Sequence, residues 1–289
     1  MDLATFLVQC LNAVQYGLLL FLVASGLTLI FGIMGVINLA HGSFYMLGAY
    51  LAFAMVPVFG DWFWLRLLAG VALALAFGYL LEWAFFSYLY QRDHLQQVLM
   101  TYGLILVFEE LRSITIGNDV HGVPIPGWLS GGFSLGLIQY PWYRVFASLA
   151  CLVVAAGLYA VVNRTRLGMM IRAGASNRDM VRGLGVDITL LYRVVFAGGV
   201  ALAALAGMIA APLSSVYPGM GSSVLIICFV VVVIGGIGSI TGALIASLGV
   251  GFVDTFGKVF FAEWSGVGVY LLMAIVLVWR PEGLMKRAA

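Results

Sequence analysis

The sequence predicts an all-α, polytopic integral membrane protein, and three observations carry that prediction. First, of 289 residues 63% are hydrophobic and only 9% are charged, with a mean hydropathy of +1.10. A soluble domain needs about 25% charged residues to cover its surface. Second, the apolar residues fall into blocks matching the ~20 residues that carry a helix across ~30 Å of hydrocarbon. Third, the cations are clustered. The stretch NRTRLGMMIRAGASNRDMVRGLGVD (163–187) holds Arg164, Arg166, Arg172, Arg178 and Arg182, about a third of the 14 Lys and Arg in the chain.

In chain order the blocks lie near 11–31, 36–57, 65–90, 95–117, 142–162, 188–212, 223–257 and 265–280. The block 223–257 is too long for one straight span, and GGIGS (235–239) interrupts it. A short or re-entrant helix followed by a full one is expected there, giving about eight or nine helices with Gly-broken or re-entrant elements. The Lys/Arg bias sets orientation. Arg92, the basic island and the tail RPEGLMKR (Arg280, Lys286, Arg287) are expected in the cytoplasm. The poorly charged stretches 58–64, 118–140, 214–222 and 258–264 are expected outside, as is the N-terminus, since no Lys or Arg precedes Arg66. The first ten residues lack the basic region of a secretory signal, so the first block is expected to be retained as a span. Trp62, Trp64, Trp128, Trp142, Trp264 and Trp279 stand at or near block ends, as interfacial anchors do.

Several function classes are excluded. A net charge of +2 does not call for nucleic acid. Cys10, Cys151 and Cys228 lie in apolar stretches without pairing or ligand spacing, so they read as small hydrophobes. No HExxH, Walker A loop, GxSxG in a suitable context or Cys/His cluster appears, so neither a catalytic nor a metal site is expected. The Gly/Pro-rich segment 118–140 reads as an outer loop that lies in the interface, caps a vestibule or meets an external partner.

The polar residues inside the blocks are the candidates for function. Asn38 and His41, three apart, are expected on one helix face with Gly42 and Ser43 beside them. Either this face packs helices through hydrogen bonds, or it lines a path for a polar or zwitterionic solute. One His without further donors makes a metal site a poor expectation. FGIMGVINLAHGSFYMLG (31–48) echoes IGGIGSITGALIASLGVG (234–251), pairing Gly32 with Gly235 and Gly35 with Gly238. The echo suggests two Gly-broken elements in corresponding places, and such pairs flank substrate paths in transporters. Charges at this depth should be paired or face water. Glu109 and Arg112 have the spacing of an ion pair, while Glu82, Glu109, Glu110 and Asp254 leave open a proton-coupled secondary carrier. Within the island, Ser176 is expected to cap a short helix, with Asp179 near its positive end and Gly183 and Gly185 ending it. Met180 and Leu184 would share one face, and Arg178 and Arg182 another.

Four stretches together resemble one family. GLTLIFGIMGVINLAHGSFYMLGAY (26–50), RTRLGMMIRAGASNRDMVRGLGVD (164–187), VVVVIGGIGSITGALIASLGVG (230–251) and RPEGL (280–284) are similar to the LivH-type permeases of branched-chain amino-acid ABC importers. That resemblance implies the ABC importer permease fold and a single transmembrane permease domain over 1–289 in a bacterial inner membrane. It implies a second, paralogous permease subunit, two ABC ATPase subunits that carry ATP and Mg, and an extracytoplasmic substrate-binding protein, with no cofactor in this chain. The coupling residues it implies are Arg172, Ala173, Ala175, Asn177, Arg178, Asp179 and Gly183. The chain lacks the Glu of the EAA-Gly motif used by another importer class. Asn38, His41, Gly42, Ser43, Gly32, Gly35, Gly235, Gly236 and Gly238 are then the candidates for the substrate pathway. Relatives of such permeases also take other amino acids, urea, short amides or aromatic acids, so the cargo stays open.

Overall fold

A computed structural model describes residues 2–90, 92–135 and 138–285. The chain forms α1 (Leu3–Met34), α2 (His41–Ala54), α3 (Val56–Phe59), α4 (Phe63–Ala84) and α5 (His94–Thr115). A hairpin of β1 (Gly132–Leu135) and β2 (Ile138–Pro141) follows, then α6 (Trp142–Arg164), α7 (Arg166–Ser176) and α8 (Arg178–Gly183). The last four helices are α9 (Ile188–Ser214), α10 (Met220–Gly235), α11 (Ile240–Phe260) and α12 (Ser265–Trp279).

Six stretches among the described residues are long and apolar enough to cross a membrane: α1, α2 with α3, α4 with the turn after it, α6, α9 and α11. The expected eight or nine therefore narrows to six on length and composition. At 16 and 15 residues, α10 and α12 fall short of a full crossing, and α5 carries Glu109, Glu110 and Arg112. The other departure from the all-α expectation is the antiparallel hairpin, which pairs Gly132 with Pro141 and Phe133 with Tyr140 inside the expected outer loop.

The molecule is built around α1 and α9. Of their most apolar stretches 83% and 78% are buried, against 17% for α6. α1 packs along α11 and α9, and α9 in turn carries α2 and α4. Glycine makes these approaches close, as in bilayers where dispersion replaces the hydrophobic drive. A Cβ on Gly48 would meet the Ala204 backbone, and one on Gly207 would meet the Tyr45 carbonyl, so α2 and α9 touch main chain to main chain.

The two ends of the molecule are distinct. At the hairpin end, Tyr140 Oη donates to Asn12 Oδ1 (3.2 Å), and Arg144 Nη1 donates to Asn12 Oδ1 (2.8 Å) and Gln15 Oε1 (3.2 Å). Burial raises the Tyr140 phenol above its usual range. His121 bridges Val216 through paired backbone bonds and stacks on Phe53 at 4.2 Å. Trp64 and Trp128 stack there at 6.1 Å and, like Trp62 and Trp142, remain exposed, as expected of interfacial anchors. The opposite end holds α7 and α8, the α10–α11 turn and the described part of the tail. Lys286, Arg287 and the Trp264 side chain lie outside the described residues.

The α2–α9 contact gives a direct test. Gly207→Leu should drive the two helices apart and cost at least the ~1–3 kcal/mol typical of overpacking. Gly103→Leu and Gly157→Leu, which point into open space, should leave the melting temperature unchanged. Thermal unfolding of the three purified variants in detergent distinguishes them.

Candidate functional site

α1 ends where Gly35 adopts φ 68° and its N–H donates to Phe31 O at 3.0 Å. The next residues do not continue as helix. Val36, Asn38 and Ala40 are buried in a non-helical segment, and α2 begins only at His41. Asn38 Oδ1 accepts from Ala40 N at 3.0 Å, closing a local turn. His41 Nε2 donates to Val23 O at 2.9 Å; a carbonyl only accepts, so the proton sits on Nε2. Val23 lies eleven residues before Met34, about 16 Å back along α1. The segment thus doubles back inside the protein and starts α2 at mid-depth. The expected shared helix face for Asn38 and His41 is therefore wrong, because Asn38 precedes the helix. Both side chains are fully buried, and Asn38 Nδ2 and His41 Nδ1 have no partner among the described residues. Gly42 lies against the Gly221 carbonyl at the start of α10, which leaves no room for a Cβ, and Ser43 beside it is buried.

The second glycine break sits at the other end. α10 stops at Gly235, Gly236 (φ 95°) and Gly238 (φ 83°) turn the chain, and Ser239 caps α11 by accepting from Gly242 N at 3.0 Å. The expected interruption at GGIGS is present. The tail docks on this turn: Leu284 N donates to Ile234 O (2.8 Å) and Met285 N to Gly235 O (3.2 Å), satisfying carbonyls that the end of α10 leaves open. Gly283, at φ 84°, lies against the Gly236 backbone, where neither residue has space for a Cβ. The echo between 31–48 and 234–251 thus corresponds to two helix–break–helix elements. They meet where a Cβ on Gly32 would lie 3.1 Å from Gly238 Cα.

The basic island is a pair of helices. Thr165 caps α7, its Oγ1 accepting from Gly168 N at 3.2 Å, and Gly168 sits on the Val161 and Val162 carbonyls at the corner with α6. Arg172 Nη1 donates to Val162 O, so this arginine holds the corner. Asn177, not Ser176, caps α8, accepting from Met180 N at 3.0 Å; Ser176 closes α7 instead. Asn and Ser cap helices about equally well, so local chemistry did not separate the two neighbours. The helix ends at Gly183, with Leu184 as its C-cap and Gly185 at φ 87°. Val181 anchors α8, while Met180 (68% exposed) and Leu184 (79%) stand outward among Arg178, Asp179 and Arg182. Arg178 and Arg182 enter no ion pair among the described residues.

Three charge pairs stand within the helices among the described residues. Arg112 Nε meets Glu109 Oε2 at 3.1 Å, as its spacing predicted, and its other nitrogens donate to Gly117 O and Asn118 Oδ1. Lys258 meets Asp254 at 2.6 Å one turn along α11. Glu82, fully buried, meets Arg193 Nε at 3.2 Å and accepts from Tyr90 Oη at 2.7 Å. Arg193 was missed by sequence reasoning, although it is the one cation in the block 188–212.

The candidate pathway residues do not meet in one place. Asn38, His41, Gly42 and Ser43 are sealed at mid-depth, while Gly235 and Gly236 serve helix packing and tail docking. Gly32 and Gly238, however, line a cavity of about 610 Å³ together with Arg172, Ala175 and Ser176 of the island. Arg178, Asp179 and Arg182 line a neighbouring recess of about 330 Å³ with Tyr90 and Tyr192. Ala173, Asn177 and Gly183 are exposed on the surface between. No group of His, Cys, Asp or Glu among the described residues is placed to hold a metal ion.

Residues 9–277 match the family model described as "Branched-chain amino acid transport system / permease component". The chain is 31% identical over 299 residues to the high-affinity branched-chain amino acid transport system permease protein BraD of Pseudomonas aeruginosa, covering 98% of this chain and 96% of that one. It is 27% identical to the permease protein LivH of Escherichia coli K12, with the same coverage of 98% and 96%. Against the permease protein LivM of the same organism it is 29% identical, over 90% of this chain and 66% of that one.

Two outcomes follow from this geometry. Arg193→Ala leaves the buried Glu82 carboxylate without its cation and should lower the unfolding temperature in detergent. Glu82→Gln, which keeps an acceptor for Tyr90, should lower it less, and the double variant should recover part of the loss. Gly283→Val should free the tail from the α10–α11 turn while the membrane helices stay folded. Limited proteolysis would show this as faster cleavage beyond Trp279 in the variant than in the parent protein.

Proposed function

This chain belongs to the branched-chain amino acid transport permease family, and from that membership we propose that it is the membrane-spanning permease subunit of an ATP-driven ABC importer. The cargo is a branched-chain amino acid, the class printed in the names of its relatives, and the chain itself catalyses no reaction. It lies in the inner membrane as one transmembrane unit over residues 1–289. The hairpin end and the N-terminus face outside, and the island and tail face the cytoplasm, following the Lys/Arg bias. Similarity to both LivH and LivM supports a paralogous second permease as its partner. An extracytoplasmic binding protein delivers the cargo, and two ATPase subunits carry the ATP and Mg.

The observation that carries this reading is the surface of α7 and α8. The six-residue helix α8 and its C-cap expose Met180 and Leu184 among Arg178 and Arg182, an apolar surface that a partner protein would cover. Arg172 holds the corner with α6, so a push on α8 reaches α6 and, through Ile171 and Gly174, the buried ends of α1 and α9. Arg178, Arg182 and the two apolar side chains form the contact with the ATPase, while Asn177 and Gly183 bound the helix that presents them. A proton-coupled carrier is not favoured: Glu82, Glu109 and Asp254 each have a cation within 3.2 Å, and Glu110, the remaining candidate, is exposed with no ion pair among the described residues.

Reconstitution with the companion permease, ATPases and binding protein should give leucine uptake that requires ATP and persists when the proton gradient is collapsed. Uptake driven by a proton gradient without ATP would overturn the reading. Uptake of urea or short amides in place of leucine would keep the importer and correct its cargo. Replacing Met180 and Leu184 together by Asp should cut ATP-driven uptake at least about tenfold through loss of ATPase docking, with the permease still folded.

A further inference from the structure

Arg66 is a buried cation without a counter-charge. It stands at the end of the first turn of α4, is 6% exposed, and enters no ion pair or side-chain hydrogen bond among the described residues. Its Nε is sealed from solvent and lacks an acceptor. Its guanidinium carbon lies 5.9 Å from the centre of the Phe63 ring, at the far edge of a cation–π contact. Arg112 and Arg193, by contrast, each face a carboxylate.

The position makes this charge harder to keep. Side chains on a helix lean toward its N-terminus, and that end carries a partial positive charge of its own. α4, a 22-residue helix, has no acidic residue in its first turn, and its N-cap Trp62 makes no side-chain cap. Asp61 just before it is exposed and pairs with no cation among the described residues. Two positive features therefore meet away from water, where an uncompensated charge is costly.

A cavity of about 20 Å³ borders Arg66. Its other walls include Ala52 of α2, Leu67 of α4, Val123 and Pro124 of the segment before the hairpin, and Met208 and Pro212 of α9. Arg66 is the one polar side chain in the described lining, so no carboxylate competes for it there. The space suits about one water-sized particle, too little for an amino acid. Water would fill it but leave the charge unanswered.

We propose that this cavity seats a small inorganic anion of halide size, chloride in an ordinary medium, between the Arg66 guanidinium and the uncapped start of α4. The anion neutralises both positive features at once. It also ties α2, α4 and α9 to the Val123–Pro124 segment, which pins the hairpin end to the membrane helices. The seat uses none of the residues assigned to cargo or coupling.

The test is thermal unfolding of the full chain in detergent at constant ionic strength, with sodium chloride exchanged for sodium gluconate, whose anion is too large for the cavity. Chloride should raise the melting temperature saturably, by roughly 5 °C. Bromide should match it, and Arg66→Met should abolish the response. No difference between chloride and gluconate in the parent protein would overturn the seat and leave water alone in the cavity. An equal response in Arg66→Met would overturn it as well. So would stabilisation by short-chain phosphatidylglycerol that chloride does not reproduce, which assigns Arg66 to a lipid phosphate. Independently of any variant, anomalous scattering from bromide-soaked crystals of the parent protein should place an ion beside the Arg66 guanidinium, and a map without a peak there rejects the proposal.

Discussion

Backbone that leaves a helix inside an apolar environment must find hydrogen bonds within the protein, and most of this structure is arranged around that demand. The chain breaks helix twice in its interior, between α1 and α2 and between α10 and α11. At the first break Gly35 turns the chain, Asn38 closes a local turn, and the His41–Val23 bond fixes the height at which α2 begins. At the second break the tail supplies the missing donors to the last carbonyls of α10. α9 and α10 then cover the exposed backbone of the first break, and they come close enough only because glycines remove the side chains in between.

The same demand explains why so many polar groups are present without forming a site. His41 is a strut between helices. Arg112 closes the end of α5 through Gly117 and Asn118, and Glu82 holds α4 to α9 through Arg193. Three of the four carboxylates that sequence reasoning left open to proton coupling, Glu82, Glu109 and Asp254, are neutralised where they stand, which lowers the cost of keeping them at depth. The groups that stay unsatisfied are therefore informative. Arg66 is one of them, and it borders the cavity at the hairpin end.

Under the proposed role, the island joins these parts mechanically. Arg172 ties α7 to the last turn of α6, Gly168 brings that corner into backbone contact, and Gly174 rests on Ile33 and Leu191. α8 hangs from this joint by Asn177 and exposes its apolar side chains. An element so anchored on one side and bare on the other suits transmission of force, because displacement at α8 is carried by packed main chain with little slack.

Much of this was legible in the residues. Composition and block length reveal the membrane class, GGIGS marks a break, spacing pairs Glu109 with Arg112, and the motifs at 26–50, 164–187, 230–251 and 280–284 identify the family. The legible features are local ones, set by hydropathy, backbone torsion or an interval of three or four residues. The cap of α8 was misplaced by one residue, and α7 went unrecognised, because basic residues in a loop and on an exposed helix have similar local chemistry. Tertiary structure alone decided that residues 35–40 double back, that Asn38 lies outside the helix, and that Arg193 pairs with Glu82. It also decided that RPEGL closes α10 and that Gly238 meets Arg172 across one cavity. Each of these joins residues far apart in the chain. In a chain apolar nearly everywhere, hydropathy cannot say which helix meets which, so that choice falls to the fit of backbone against backbone.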